Sequence, residues 1–214
     1  MPDRTRLTRR TLLVAAVGGA TLAVAAPSPA ATPHQTEGPF FPTKPPPEKD
    51  FDMTRLPGRD DAAHGEVIDI EGRILDEAGQ PVEGAVVDVW QANAYGKYDH
   101  ERDTSAGALD PAFQGWAQLR TGADGHYRVR TIRPGKYGVE IGWDRPPHVH
   151  FKVARRGYDE LTTQMYFAGE PLNDIDRLLQ KVPAAERGSL VVTFADAADG
   201  TPRRGTFDIV LKKA

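Results

Sequence analysis

The sequence predicts an all-β protein: an antiparallel β-sandwich with an irregular N-terminal arm and one short helix. Three observations lead there. From Glu66 onward, apolar and polar residues alternate in short runs, the period of a half-buried strand. Turn-forming residues separate these runs, 21 Gly and 18 Pro among 214 residues. Helical spacing occurs in one segment only.

In chain order, Val67–Leu75 reads as the first strand, and Asp76–Pro81 as its turn, with the Gly and Pro a tight turn uses. Ala85–Gln91 is the next strand. An irregular stretch over 92–116 follows, then Ala117–Thr121, a turn at Ala123-Asp124-Gly125 and the strand His126–Thr131. Pro134-Gly135 turns the chain into Lys136–Gly142, and His148–Ala154 forms a further strand. Asp174–Lys181 is the helix, with Ile175, Leu178 and Leu179 on one face and Asn173 as its cap. Ser189–Phe194 and Thr206–Leu211 close the list. Seven or more short strands at this spacing fit a sandwich.

Three regions are expected. Residues 1–30 carry Arg4, Arg6, Arg9 and Arg10, the apolar run Leu12–Ala26 and a small-residue end, Pro27-Ser28-Pro29-Ala30-Ala31. That order reads as an export signal. Thr8-Arg9-Arg10-Thr11-Leu12-Leu13 resembles a twin-arginine signal, which exports folded proteins to the periplasm or beyond. The apolar run is roughly 15 residues, short of the ~20 a membrane span needs, so no span is expected in the mature chain. Residues 31–64, rich in Pro and charge, read as an arm over a domain with aromatic anchors Phe40, Phe41 and Phe51. Residues 65–214 form the domain, long enough for one sizeable core.

Composition excludes some classes. The formal charge is −3, and loss of residues 1–30 removes four Arg and one Asp, taking it to −6; neither value suits nucleic-acid binding. The chain has no cysteine, so no disulfide braces an exported fold. Any metal site must use His, Tyr, Asp or Glu.

His148-Val149-His150 is the sharpest local feature. On a strand, residues i and i+2 share a face, so both imidazoles project together while Val149 points the other way. Arg145-Pro146-Pro147 gives that strand a rigid, extended approach. It also sets a cation near the imidazoles that disfavours imidazolium and suits neutral, metal-binding nitrogens. By themselves, two histidines on a strand are as readily surface residues as ligands. Zinc completed by a carboxylate, ferrous iron held by two His and an acid such as Asp144 or Asp159, and ferric iron held by phenolates all stay open here. Tyr98 and Tyr137 both stand beside turns, where a tyrosine is more often a packing aromatic than a ligand.

The blocks T-E-G-P-F-F (36–41), G-x-x-V-D-V-W-Q-A-N-A-x-G-x-Y (84–98), L-D-P-A-F-Q-G (109–115), T-I-R-P-G-K-Y (131–137), R-P-P-H-V-H-F (145–151), L-T-T-Q-M-Y-F (161–167) and F-D-I-V-L (207–211) occur in one order with compatible spacing. Together they resemble the intradiol ring-cleavage dioxygenases, the protocatechuate 3,4-dioxygenase type above all, over essentially all of 36–211. The resemblance implies non-haem Fe(III) bound by Tyr98, Tyr137, His148 and His150, with a hydroxide as fifth ligand. Tyr137 and His150 would be axial, Tyr98 and His148 equatorial. It implies that Arg145 stabilises carbanion character in the substrate and that Gln164 lines the pocket near the metal. The reaction implied is attack of O₂ on a doubly deprotonated catechol, ending in a cis,cis-muconate, with Tyr137 taking one substrate proton.

Two departures concern the pocket wall. The segment from Tyr137 to His148 is shorter than that type usually has, and Val139 stands where an aromatic normally follows the axial tyrosine. Both leave the particular catechol open. The arm and all four expected ligands lie in one chain, which fits a monomer or homo-oligomer. No long helical N-terminal domain of the catechol 1,2-dioxygenase kind precedes the strands.

A second reading competes over 72–137. G-R-I-L-D-E-A-G-Q-P-V-E-G-A-V-V-D-V (72–89), T-G-A-D-G-H-Y-R-V (121–129) and R-P-G-K-Y (133–137) also resemble non-catalytic extracellular modules of the carboxypeptidase regulatory-like kind. Such a module has no use for R-P-P-H-V-H-F or T-Q-M-Y-F, which lie downstream.

Overall fold

The structure is a computed structural model that describes residues 28–43, 49–196 and 200–214. The expected export signal lies outside the described residues except for 28–30. No helix among the described residues is long and apolar enough to cross a membrane.

Among the described residues, twelve strands form two five-stranded sheets and a hairpin. They are β1 (Val67–Asp76), β2 (Val86–Trp90), β3 (Trp116–Arg120), β4 (His126–Ile132), β5 (Tyr137–Glu140), β6 (Trp143–Arg145), β7 (His148–Ala154), β8 (Leu161–Phe167), β9 (Val191–Val192), β10 (Phe194–Ala195), β11 (Arg203–Thr206) and β12 (Ile209–Leu211). The first sheet runs β10-β11-β1-β12, with β4 on β1. The second runs β3-β2-β7-β8-β9. Among the described residues, strands β5 and β6 pair only with each other. The sandwich is as expected, and mostly antiparallel. Three pairings are parallel: β1 with β11, β1 with β12, and β8 with β9.

Alternation builds the core. Ile68, Ile70 and Ile74 of β1 meet Val87 and Val89 of β2 and Val149, Phe151 and Val153 of β7, all buried. The opposite face of β7 therefore carries His148 and His150, also buried. Strand β8 is buried along its whole length because the arm covers its second face. The arm bonds Gln35 N–H to the Thr162 carbonyl, and Pro33 C=O accepts from Thr163 Oγ1.

Local departures have local causes. The expected helix at Asp174–Lys181 is two 3₁₀ turns, Pro171–Asp174 and Leu179–Lys181. Glu170 caps the first; the Asn173 side chain instead donates to the Phe167 carbonyl. Ile175, at φ −119°, ends the first turn as its C-cap, its N–H on the Leu172 carbonyl, and is 66% exposed. Asp176, turned inward, is fully buried. The expected strand 189–194 begins as a 3₁₀ turn, Arg187–Leu190. The expected strand 206–211 breaks at Phe207, whose N–H bonds to Glu71 C=O of β1. Phe40 and Phe41 are anchors of the arm, but Phe51 is half exposed, and its backbone carbonyl accepts the Arg130 N–H.

Candidate metal centre

Backbone contact between two loops sets the two tyrosines together. Tyr98 lies in the loop after β2, and Tyr137 opens β5. Gly96, at φ +73°, lies so close to the Lys136 carbonyl that a Cβ there would overlap it. At Gly135, an added Cβ would sit 2.5 Å from both the Ala94 oxygen and the Gly96 nitrogen. The Gly135 N–H donates to Asn93 C=O at 2.9 Å, and Asn93 Oδ1 accepts from Tyr95 and Lys97 N–H, fixing the loop. The result is a Tyr98–Tyr137 centroid separation of 5.5 Å, edge to face.

The histidines meet this pair from β7. Tyr137 lies 5.6 Å from His148 and Tyr98 lies 6.3 Å from His150, centroid to centroid. The two Nε2 atoms approach to 3.2 Å. His148 Nδ1 lies 2.7 Å from the Pro146 carbonyl. A carbonyl only accepts, so His148 carries its proton on Nδ1 and its Nε2 offers a lone pair. His150 Nδ1 has no partner among the described residues; Trp90 stacks on that ring at 4.7 Å and 14°. From the arm, Gly38 lies against His150, and Phe40 stacks on Tyr98 at 4.6 Å.

Burial and charge keep these groups neutral. Burial first, then the Arg145 guanidinium, hold both imidazoles well below the usual histidine range. That is the effect expected from Arg145-Pro146-Pro147. Burial pushes both phenols above the ordinary tyrosine value, and for Tyr98 the neighbouring Tyr137 adds to it. Tyr98 Oη is buried without a hydrogen-bond partner among the described residues. Two imidazole nitrogens with depressed basicity and an orphaned phenol oxygen converging on one point suit a strongly polarising cation, which alone would ionise the phenols at neutral pH.

The depressed imidazoles also set a pH dependence for the metal-free protein. A histidine lowered in the folded state binds fewer protons there than in the unfolded chain. Its contribution is therefore full above the unfolded value, about 6.5, and is lost as pH falls below it. Stability should drop between pH 6.5 and 5 by as much as about 1.4 kcal/mol per pH unit for each of the two histidines. Denaturant melts of metal-free protein across that range check this; a flat response contradicts it.

Arg145, at the end of β6, is buried beside the same point. Its Nε and Nη2 donate to Asp176 at 2.9 and 3.2 Å, and Nη2 also reaches Gln164 Oε1 at 2.7 Å and Tyr166 Oη at 3.2 Å. Gln164 Nε2 donates to Thr36 C=O, tying this network to the arm. A cavity of about 400 Å³ opens onto the group, lined among others by Phe40, Tyr137, Val139, Trp143, Arg145 and His150. All six residues singled out in the sequence thus meet in one place. Asp176, Tyr166 and Trp90 are additions. Tyr166 was within reach, since it shares a strand face with Gln164 two residues away. Asp176 was hidden inside the segment that reads as a helix.

The carboxylates considered as ligands lie elsewhere. Asp144 is exposed and paired with Lys136 at 3.0 Å, and Asp159 is exposed with its N–H on Lys212 C=O. Among the described residues no three His, Cys, Asp or Glu cluster as a metal site. The donors gathered here are two histidines and two tyrosines.

Comparison with known proteins gives the family to which the sequence and fold are similar. The family model described as "Dioxygenase" matches residues 36–213. The β chain of protocatechuate 3,4-dioxygenase from Burkholderia cepacia is 40% identical over 168 residues, 76% of this chain and 72% of that protein. Catechol 1,2-dioxygenase from Acinetobacter baylyi is 33% identical over 182 residues, 79% of this chain; the chain spans only 55% of that relative's length. Among solved structures, 3-chlorocatechol 1,2-dioxygenase from Rhodococcus opacus superposes with a TM-score of 0.69 at 27% identity, covering 86% of this chain and 73% of the other.

Proposed function

We propose, on the premise that the chain belongs to the intradiol ring-cleaving dioxygenase family, that it binds one ferric ion through Tyr98, Tyr137, His148 and His150 and opens a catechol ring with O₂. The observation that carries this reading is the approach of the two Nε2 atoms to 3.2 Å beside the unpartnered Tyr98 oxygen. Hard phenolate oxygens and neutral imidazoles are a donor set for ferric iron rather than for zinc, which favours thiolate, imidazole and carboxylate. When bound, the ferric ion supplies a Lewis acid that draws electron density from the coordinated ring.

The chain's own groups do the rest. Tyr137 lines the cavity, and burial holds its phenol high; once deprotonated, its oxygen is a base strong enough to take a catechol proton. Arg145, with its charge already buried and fixed, stabilises negative charge developing on the ring carbon that O₂ attacks. Gln164 holds that guanidinium and the Thr36 carbonyl together. Phe40, Trp143 and Leu178 line the cavity and limit water around the ring. Both oxygen atoms end in the two carboxylates of a cis,cis-muconate.

The test is colour. Purified protein should be burgundy, with a broad visible band from tyrosinate-to-ferric charge transfer that shifts when a catechol is added under argon. Colourless protein holding stoichiometric zinc would sink the proposal.

The cavity's charges favour an anionic catechol. Glu37 pairs with Lys152 at 3.0 Å, Asp103 with Lys97 at 3.5 Å, and Arg145 with Asp176. Arg102, exposed on the same lining, has no ion-pair partner among the described residues. A carboxylate-bearing catechol such as protocatechuate should therefore exceed plain catechol in kcat/KM, and Arg102→Ala should shrink that ratio about tenfold. An unchanged ratio in the variant removes Arg102 from substrate choice.

A further inference from the structure

The most heavily restrained charge near the cavity belongs to Arg145, and the residue that restrains it does not line the cavity. Asp176 is 0% exposed and Arg145 3%. Their contact is a fork: Oδ1 accepts from Nε at 2.9 Å and Oδ2 from Nη2 at 3.2 Å. Asp176 Oδ2 also accepts the Leu179 N–H at 3.1 Å, which anchors the carboxylate to the backbone. Gln164 and Tyr166 complete the grip on Nη2, and Gln35 Nε2 donates to Tyr166 from the arm. Of the guanidinium's five N–H groups, the three on Nε and Nη2 are engaged. The two on Nη1 take no part in that grip, and Tyr137 and the cavity lie beside the guanidinium.

A buried ion pair is poor value as a stabiliser, because desolvating two charges offsets most of their attraction. What such a fork secures is geometry: it fixes the plane and rotamer of a planar cation. A group that must meet a charge appearing only during reaction needs that, since reorientation at that moment would cost rate.

We propose that Asp176 is a positioning residue for ring cleavage, acting through Arg145 by holding the free edge of its guanidinium against the reacting ring. This rests on the functional reading above. Asp176 touches no substrate; it also cancels the net charge of Arg145 in the buried site, so that the fixed dipole edge of the guanidinium, more than an unbalanced cation, faces the ring.

The experiment is a double-mutant cycle of Asp176→Asn and Arg145→Gln on iron-loaded protein, with protocatechuate and catechol as probes. For Asp176→Asn, kcat should fall about 10²-fold, with KM within about threefold, and with iron content and the visible band at wild-type values. The double variant should be no slower than Arg145→Gln alone, because the second change has nothing left to position. Should Asp176→Asn not fold, because it leaves a buried cation unpaired, Asp176→Glu carries the test. It keeps the charge but displaces the fork by one methylene, and kcat should fall with the band unchanged. Near-wild-type kcat in a folded Asp176 variant overturns the proposal, as do multiplicative losses in the cycle. So does a loss confined to iron content and melting temperature, which would mark a purely structural pair. A wild-type protein with neither visible band nor ring cleavage fails differently, by removing the reading on which Asp176 depends.

Discussion

His150→Ala is expected to weaken iron binding by more than about 10²-fold, since even the outer partners of metal ligands are worth 10–100-fold. The same is expected of His148→Ala. Each imidazole is held in a buried, neutral form with its Nε2 close to the other's, so each loss removes a preorganised donor. Tyr98→Phe should instead keep the fold and lose much of the visible band. The hydroxyl it removes is buried with no well-formed hydrogen bond, the Tyr137 phenol being its polar neighbour, so its loss costs the fold little. Tyr95→Phe is the control. Tyr95 stands three residues away, is half exposed, and contacts only His64 among nearby rings, at 6.1 Å. Metal analysis and visible spectra of the four purified variants decide the matter. Equal damage from Tyr95→Phe would mean that the tyrosine assignment is wrong.

Gly96→Ala should be nearly as harmful, although Gly96 carries no side chain that could bind anything. Two penalties combine there. A non-glycine residue at φ +73° costs about 1–2 kcal/mol, and the new methyl would overlap the Lys136 carbonyl. Relief requires the Tyr98 loop to move away from the start of β5, which separates Tyr98 from Tyr137. The expected outcome is a folded protein with a lower melting temperature and a weakened, shifted visible band. Gly58→Ala is a fair comparison, with a similar φ of +75° but open space around it. Its effect should be confined to the backbone penalty. If both variants kept the wild-type spectrum, the two tyrosines would not depend on that glycine contact.

These expectations show what was legible in the sequence. Period-2 alternation located β1, β2, β4 and β7 to within a residue or two, because in each the apolar residues alternate with polar ones and the apolar set faces the core. Strand β8 shows no alternation, being buried on both faces by the arm, and β6 is too short to show any. The 171–181 segment misleads because its apolar residues fall at helical spacing, while the inward turn of Asp176 toward Arg145 decides its shape. A carboxylate's distant partner leaves no local mark in sequence. The H-x-H pair was visible as a pair, but its partners come from loops whose approach depends on glycines. Only the order of several motifs brought Tyr98 and Tyr137 to it.

The arm has a consequence for when the centre comes into being. Gln164 reaches the Thr36 carbonyl across 128 positions, and Gly38 and Phe40 wall a group whose donors run from Tyr98 to His150. Contacts this far apart in sequence form late and slowly. A ribosome-bound chain that has emerged only as far as His150 already holds all four donors, yet lacks β8, against which the arm lies. The coordinating pocket is thus a property of the finished sandwich. Iron capture should report on completed folding, and any fragment ending before β8 should leave the metal in solution.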